Sequence, residues 1–387
     1  MQHVHCFEAL TPSHDNEAIG RMEGKARLFA LDFLRGLCLI LMTMDHLPRN
    51  VFWRFSNAQF GPFGFFTAAS AFVFISGLVS ANAYGSLYDV FGAWSACKRV
   101  LRRALQLYVV NTTILCALFF AMAFHLFQGE RWEQQFPRFF DNPQSAILDG
   151  ILLLYRPGYL DILPMYVLFL LMVVPVLAAI RRRLGLYALA ISFLVWLLAQ
   201  LSEQHREAFN PLGYQVLFAL GLVLGRSGSS VVRFLRSGTA KQLARASAAV
   251  VIVLALLRLG LAGFGTMSPP IVGWRSLTHL ENNGPLRLLD FALVAFLVAW
   301  VWLNVTTVAD SRGALSRWIA GLGRHSLLVF AWSIVATYAS IALMPERASP
   351  AWALLDLLLT VSSLAVPALI GERLGVARNS ASLARIH

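Results

Sequence analysis

The chain has 387 residues, 58% of them hydrophobic and 13% charged, with a mean hydropathy of +0.64. A soluble globular chain carries about 25% charged residues, so this one has too few polar side chains to cover a water-facing surface. An ordinary cytosolic enzyme, a secreted disulfide domain and a disordered chain are excluded. The net charge of +12 raises membrane sidedness before nucleic-acid binding.

In chain order, residues 1–26 are polar and lack the apolar run of a signal peptide. They read as a cytosolic N-terminal tail. Ten apolar segments follow, each near the roughly 20 residues a spanning helix needs: 29–47, 63–84, 100–125, 159–180, 184–201, 211–225, 243–265, 286–305, 325–344 and 351–371. A shorter apolar run, 146–155, reads as a re-entrant or interfacial helix. Such long runs exclude a transmembrane barrel, whose strands are short and alternating. The expected fold is all-α and polytopic, with about ten transmembrane helices over 27–373 and a cytosolic C-terminal tail at 374–387.

Basic residues test the count. With a cytosolic N-terminus, the inner segments carry the clusters Lys98–Arg103, Arg181–Arg183, Arg226–Arg245, Arg312–Arg324 and Arg373–Arg385. Every inner segment holds at least as many basic residues as its neighbours across the membrane, as the positive-inside rule requires. The alternation keeps both termini cytosolic. The longest outer segment, 126–158, holds Glu130, Trp132, Glu133, Phe136, Phe139, Phe140 and Asp141. It reads either as an interfacial cap with Trp at headgroup level or as a lid over an outward-facing site. Cys6, Cys38, Cys97 and Cys116 form no metal-ligand spacing and read as small buried hydrophobes. No metal is expected. Gly221 and Gly225 read as a helix-packing pair.

Ionisable groups inside the hydrocarbon mark functional sites by default. The first span holds Asp32, Arg35, Asp45 and His46. Arg35 and His46 are eleven residues apart, so at 100° per residue they share one helical stripe, with a rise of about 16 Å. Arg35 lies toward the inside and His46 toward the outside. Asp32, three residues before Arg35, can pair with it, whereas Asp45 points about 100° away from His46. An enzyme using an anionic cytosolic cofactor needs this layout. A guanidinium can hold a phosphate or carboxylate from inside, and an imidazole can take a proton from an acceptor hydroxyl near the outside.

At this point the residues match a known pattern. "LDFLRGLCLILMTMDHLPRN" (31–50) and "FGFFTAASAFVFISGLVSANAYG" (63–85) resemble the OpgC family, within the wider acyltransferase-3-like membrane proteins. The blocks "KRVLRRALQLY" (98–108), "YLDILPMYV" (159–167), "FNPLGYQVLFALG" (209–221) and "GRHSLLVF" (323–330) follow in order. The resemblance implies a bacterial inner-membrane O-acyltransferase that moves succinyl groups onto osmoregulated periplasmic glucans, with acyl-CoA as the cytosolic donor. By the same resemblance His46 is the catalytic base, and Arg35 with Arg99, Arg102 and Arg103 handles the CoA phosphates. Ser70 stands where the family block is expected to carry Glu.

The donor set is thus Arg35, Asp32, Arg99, Arg102 and Arg103, with Arg99, Arg102 and Arg103 on one helical face. Asp45 joins His46 in the catalytic set. Asn50, Ser70, Tyr159, Asp161, Tyr166 and Asn210 are candidates for acceptor contact or an outer cavity. Asn210, followed by Pro211, also fits an ordinary helix cap. His325 either touches the donor from the inner side or begins a helix. Arg258, Asp290 and Asp356 are expected to pair within the bundle. An acyl-enzyme through Ser70, Ser76 or Ser326 is the alternative to direct transfer, although none of them sits in a nucleophile elbow. Succinyl-CoA and acetyl-CoA are rival donors. The acceptor is a periplasmic glucan or another carbohydrate, the remaining partners are membrane lipids, and nucleic acid is not expected. The competing function is a transporter or flippase of a lipid-linked or anionic substrate. It is disfavoured by the lack of matched halves.

Overall fold

A computed structural model describes residues 14–47, 64–124, 126, 129–201, 209–263, 277–304, 313–344 and 349–373. Among these residues the regular structure is entirely helical. The helices are α1 (His14–His46), α2 (Ala68–Ala123), α3 (Glu130–Gln135), α4 (Pro137–Asp141), α5 (Pro143–Ile151), α6 (Ile162–Arg181), α7 (Gly185–Gln200), α8 (Pro211–Arg226), α9 (Gly228–Leu235), α10 (Gly238–Gly263), α11 (Pro285–Asn304), α12 (Ala314–Arg324), α13 (Ser326–Leu343) and α14 (Pro350–Ser363). Helical structure resumes after α14 and runs on to Arg373. α1 reaches back into the segment expected to be a tail, while residues 1–13 and 374–387 lie outside the described residues.

Six of the described helices are long and apolar enough to cross a membrane, and a seventh span results if α8 and α9, bent by 89°, are taken together. Ten spans are reached only by adding α1, α7, α8 and a second arm of α2. α1 drops out of a purely apolar search because Asp32, Arg35 and Asp45 interrupt it. α2 joins two expected spans, 63–84 and 100–125, through helix rather than loop. Its break is Gly92, at φ +80°, a backbone region that favours glycine. Tyr84 and Arg103 flank that break and line one cavity. A straight helix would hold them roughly 28 Å apart, so the second arm turns back beside the first.

Small residues set the helix crossings. A Cβ at Gly77 would meet the Phe218 carbonyl, and one at Gly221 would meet the Phe74 carbonyl and Gly77 Cα. Gly225 abuts Ala81. α2 and α8 therefore touch backbone to backbone, which is the packing use read for Gly221 and Gly225. α1 and α12 meet in the same way, Gly36 against the Ile319 carbonyl and Gly323 against the Asp32 carbonyl.

Segments expected on one side of the membrane share contacts. Asp89 pairs with Arg226 and, at 3.6 Å, with Arg181. Arg324 lies 3.6 Å from Glu372. The short apolar helix α5 packs Gly150 against Leu115 of the second α2 arm.

Some expectations are corrected. Trp132 is buried, packed on Phe136 and Tyr338, rather than exposed as a free interfacial indole. Phe136 and Phe139 are buried too, while Phe140 is exposed. Asp290 and Asp356 are each held by hydrogen-bond donors near them. Asp290 accepts the Phe65 and Phe66 N–H groups, the latter at 3.1 Å. Asp356 accepts from Ser340 Oγ at 2.7 Å and Thr360 Oγ1 at 3.4 Å. The open backbone just before α2 and hydroxyls on α13 and α14 reach these carboxylates first. The Arg258 side chain lies outside the described residues. Cys38 is buried as expected, but Cys116 is exposed on the helix surface; Cys38, Cys97 and Cys116 are free thiols. Cys6 lies outside the described residues.

Replacing Gly221 by Val should force α2 and α8 apart and cost about 1–3 kcal/mol, seen as a lower melting temperature of the detergent-solubilised protein. Gly313→Ala, where an added Cβ meets nothing within 4 Å, should leave that temperature unchanged.

Candidate functional site: a basic cavity and a histidine on one helix

Arg35 reaches from α1 across to the first residue of α13, donating through Nη2 to Ser326 Oγ. Its guanidinium carbon lies 5.7 Å from the centre of the Phe72 ring, and its buried Nε has no hydrogen-bond partner. Because the side chain extends toward α13, it forms no ion pair with Asp32 one turn below. The main chain of Asp32 instead packs against Gly323.

A cavity of about 220 Å³ opens beside Arg35. Arg103 lines it from the second arm of α2, and Ser76, Ser80 and Tyr84 line it from the first. Tyr166 and Ile162 of α6 and Ser326 and Phe330 of α13 complete the polar and apolar walls. Tyr166 Oη donates to Ser76 Oγ at 3.1 Å. Two guanidiniums therefore face one space that has no Asp or Glu among its described lining residues. Of the expected basic cluster only Arg103 is half-buried and in the wall. Arg99 and Arg102 are exposed. The reason is helical phase: Val100, Ala104 and Leu107 form the buried stripe, and Arg103 flanks it on the cavity side.

His46 sits at the other end of α1, outside the lining of this cavity. Its ring stacks on Tyr159, with centroids 4.3 Å apart and planes at 29°. The Tyr159 N–H donates to Tyr338 Oη at 3.3 Å, and the two tyrosine rings lie 5.8 Å apart. Gly158 makes this possible. It has φ +54°, and a Cβ there would strike Tyr338 Oη. Trp132 and Phe136 close the far side of Tyr338, at 5.8 and 5.6 Å. Gln135 Nε2 reaches Tyr159 Oη at 3.5 Å. The segment before α6 thus meets His46 through an aromatic stack.

The remaining candidates are placed as follows. Asp45 is half-buried. Asp161 is buried just before α6 and accepts the Phe209 N–H at 3.5 Å. Arg156 donates to the Phe209 carbonyl at 3.1 Å, and burial lowers the pKa of its guanidinium from the ordinary value. Asn210 caps α8, accepting the Leu212 N–H at 3.0 Å, and donates to Asn282 at 2.8 Å. Ser70 is buried in the start of α2, 3.0 Å from the capping hydroxyl of Thr67, and is absent from the cavity wall. His325 sits at the α12–α13 junction with its ring against Gly371. Asn50 lies outside the described residues.

Tyr338, Gly158, Phe72 and Phe330 escaped the sequence reading. The one available signal was spacing. Ser326, Phe330, Ile334 and Tyr338 recur every fourth residue and so form one helical stripe.

The family model described as OpgC protein matches residues 27–376. No curated protein and no solved structure matches the chain. The chain belongs to the OpgC family, and with its apolar helices this membership points to a membrane acyltransferase.

Proposed function

We propose that the protein transfers an acyl group from cytosolic acyl-CoA to a hydroxyl of a periplasmic glucan or another glycan, in the bacterial inner membrane, as a ten-span bundle with both termini cytosolic. Succinyl is the first choice of acyl group and acetyl the rival. The observation that carries this reading is the pair of guanidiniums, Arg35 and Arg103, facing one cavity with no carboxylate among its described lining residues. Withdrawing a cation from water costs several kcal/mol even after relaxation, and an anionic ligand offsets that cost. The donor pyrophosphate meets the requirement, with Arg35 and Arg103 as its partners and the exposed Arg99 and Arg102 near the nucleotide. Asp32 and His325 flank the inner end of α1.

The thioester end of the donor then points along α1 toward His46, about 16 Å farther on. His46 takes the proton of the acceptor hydroxyl, and the hydroxyl oxygen attacks the thioester carbonyl. The carbon–sulfur bond breaks, and the CoA thiolate leaves with the proton His46 has taken. Tyr159 holds the imidazole ring in place by stacking, and Asp45 neighbours it in sequence. Direct attack needs no residue beyond these. Ser326, the serine nearest Arg35, is committed to that side chain.

Two substitutions separate the ends of the site. His46→Ala should lower acyl transfer by about 10²–10⁴-fold while CoA binding, followed by calorimetry on the purified protein, stays near wild type. Arg35→Ala should weaken CoA binding by about tenfold or more, and raised donor concentration should partly restore transfer. A His46→Ala protein with wild-type transfer rates would rule the mechanism out.

A further inference from the structure

Among the described residues, His46 does not line the cavity beside Arg35. α1 and α13 run side by side in the same direction. At one end Arg35 bonds Ser326. At the other His46 stacks on Tyr159, which bonds Tyr338. Arg35 to His46 is about 16 Å of helix and Ser326 to Tyr338 about 18 Å, so the two helices keep the same rungs. The residues between them are Leu39 and Met42 on α1 and Phe330 and Ile334 on α13, all buried. Of these four residues only Phe330 lines the cavity. Phe72 is its outermost lining residue on α2, Ile162 on α6 and Phe330 on α13. The Phe72 and Phe330 rings stack across this end, with centroids 6.3 Å apart and planes at 19°. Tyr166 meets Phe72 edge-on at 5.6 Å.

We infer that Phe72 and Phe330 form an aromatic constriction between the donor cavity and His46, and that it selects the acyl group by size as the thioester passes. The inference rests on the proposed acyl-CoA reading. Its physical content is simple. An acyl group leaving the cavity for His46 must pass between two rings that belong to the same buried core as Leu39 and Ile334, and each added methylene needs more displacement of that packing. Short acyl groups pass with a rotamer change of the rings, whereas long chains do not. The constriction also separates water on the His46 side from the thioester in the cavity.

The test uses the full-length protein in proteoliposomes with acetyl-, succinyl-, butyryl- and hexanoyl-CoA, and measures acyl transfer to glucan, thioester hydrolysis and donor affinity. Phe330→Ala removes the ring that does not lie on Arg35. It should raise the ratio of hexanoyl to acetyl transfer by about tenfold or more and increase hydrolysis without acceptor, with CoA affinity within about twofold of wild type. Phe330→Leu, a milder change for the case where the alanine variant fails to fold, should move the ratio in the same direction. Leu170→Ala, in the cavity wall but away from the constriction, should leave the ratio alone. An unchanged chain-length profile in a folded Phe330 variant that still binds CoA overturns the constriction and leaves the acyltransferase reading standing. If the wild-type protein transfers none of the four acyl groups, the acyltransferase reading fails and the constriction falls with it.

Discussion

A guanidinium inside a bundle of apolar helices is the constraint on which the rest of this structure turns. Arg35 is held by a serine hydroxyl and the face of a phenylalanine. Neither neutralises a positive charge, and the cavity beside it adds a second guanidinium, Arg103, rather than a carboxylate. Buried charges in proteins are normally paired. A cavity with two cations and no carboxylate among its described lining residues has a positive potential that an anionic ligand relieves. That is the property a donor site for a phosphorylated carrier requires, and the neighbouring hydroxyls of Ser76, Ser80, Tyr84 and Tyr166 provide polar contacts without opposing charge.

The second constraint is direction. α1 carries Arg35 and His46 on one stripe, and α13 runs beside it with Ser326 and Tyr338 at matching heights. The glycines set how closely these elements approach: Gly36 and Gly323 bring α1 against α12, and Gly77 and Gly221 bring α2 against α8. At the far end the segment before α6 contributes Trp132, Phe136 and Gln135, which pack on Tyr159 and Tyr338 beside the ring of His46. The imidazole is thereby positioned by residues more than a hundred positions apart in the chain, although it belongs to the first helix.

Much of this was legible from residues alone, for identifiable reasons. Helical rise and phase are local properties, so the common stripe of Arg35 and His46 followed from their spacing, and Asn210 followed by Pro211 marked the start of α8 from residue type. Packing partners are not local. The sequence reading paired Arg35 with Asp32 on its own helix, whereas the side chain reaches α13. It grouped Arg99, Arg102 and Arg103 on one face, and only Arg103 turns into the cavity because it alone borders the buried stripe. It left Trp132 either at the headgroups or in a lid, and an aromatic cluster closed by a distant tyrosine buries it. Tyr338 and Phe330 looked like ordinary apolar-helix residues until the fold set them opposite His46 and Arg35. The break in α2 was read as a loop, and Gly92 accomplishes it with one residue.

The central claim is that one helix carries both ends of the reaction, with the donor bound from one side of the membrane and the acceptor acylated on the other. Its most direct test is sidedness. The protein is reconstituted in vesicles of known orientation, with labelled acyl-CoA supplied only on the Arg35 side and glucan only on the His46 side. The account predicts labelled glucan on the His46 side, with no acyl-CoA crossing intact. Label that reaches glucan only when donor and acceptor share one compartment would contradict it.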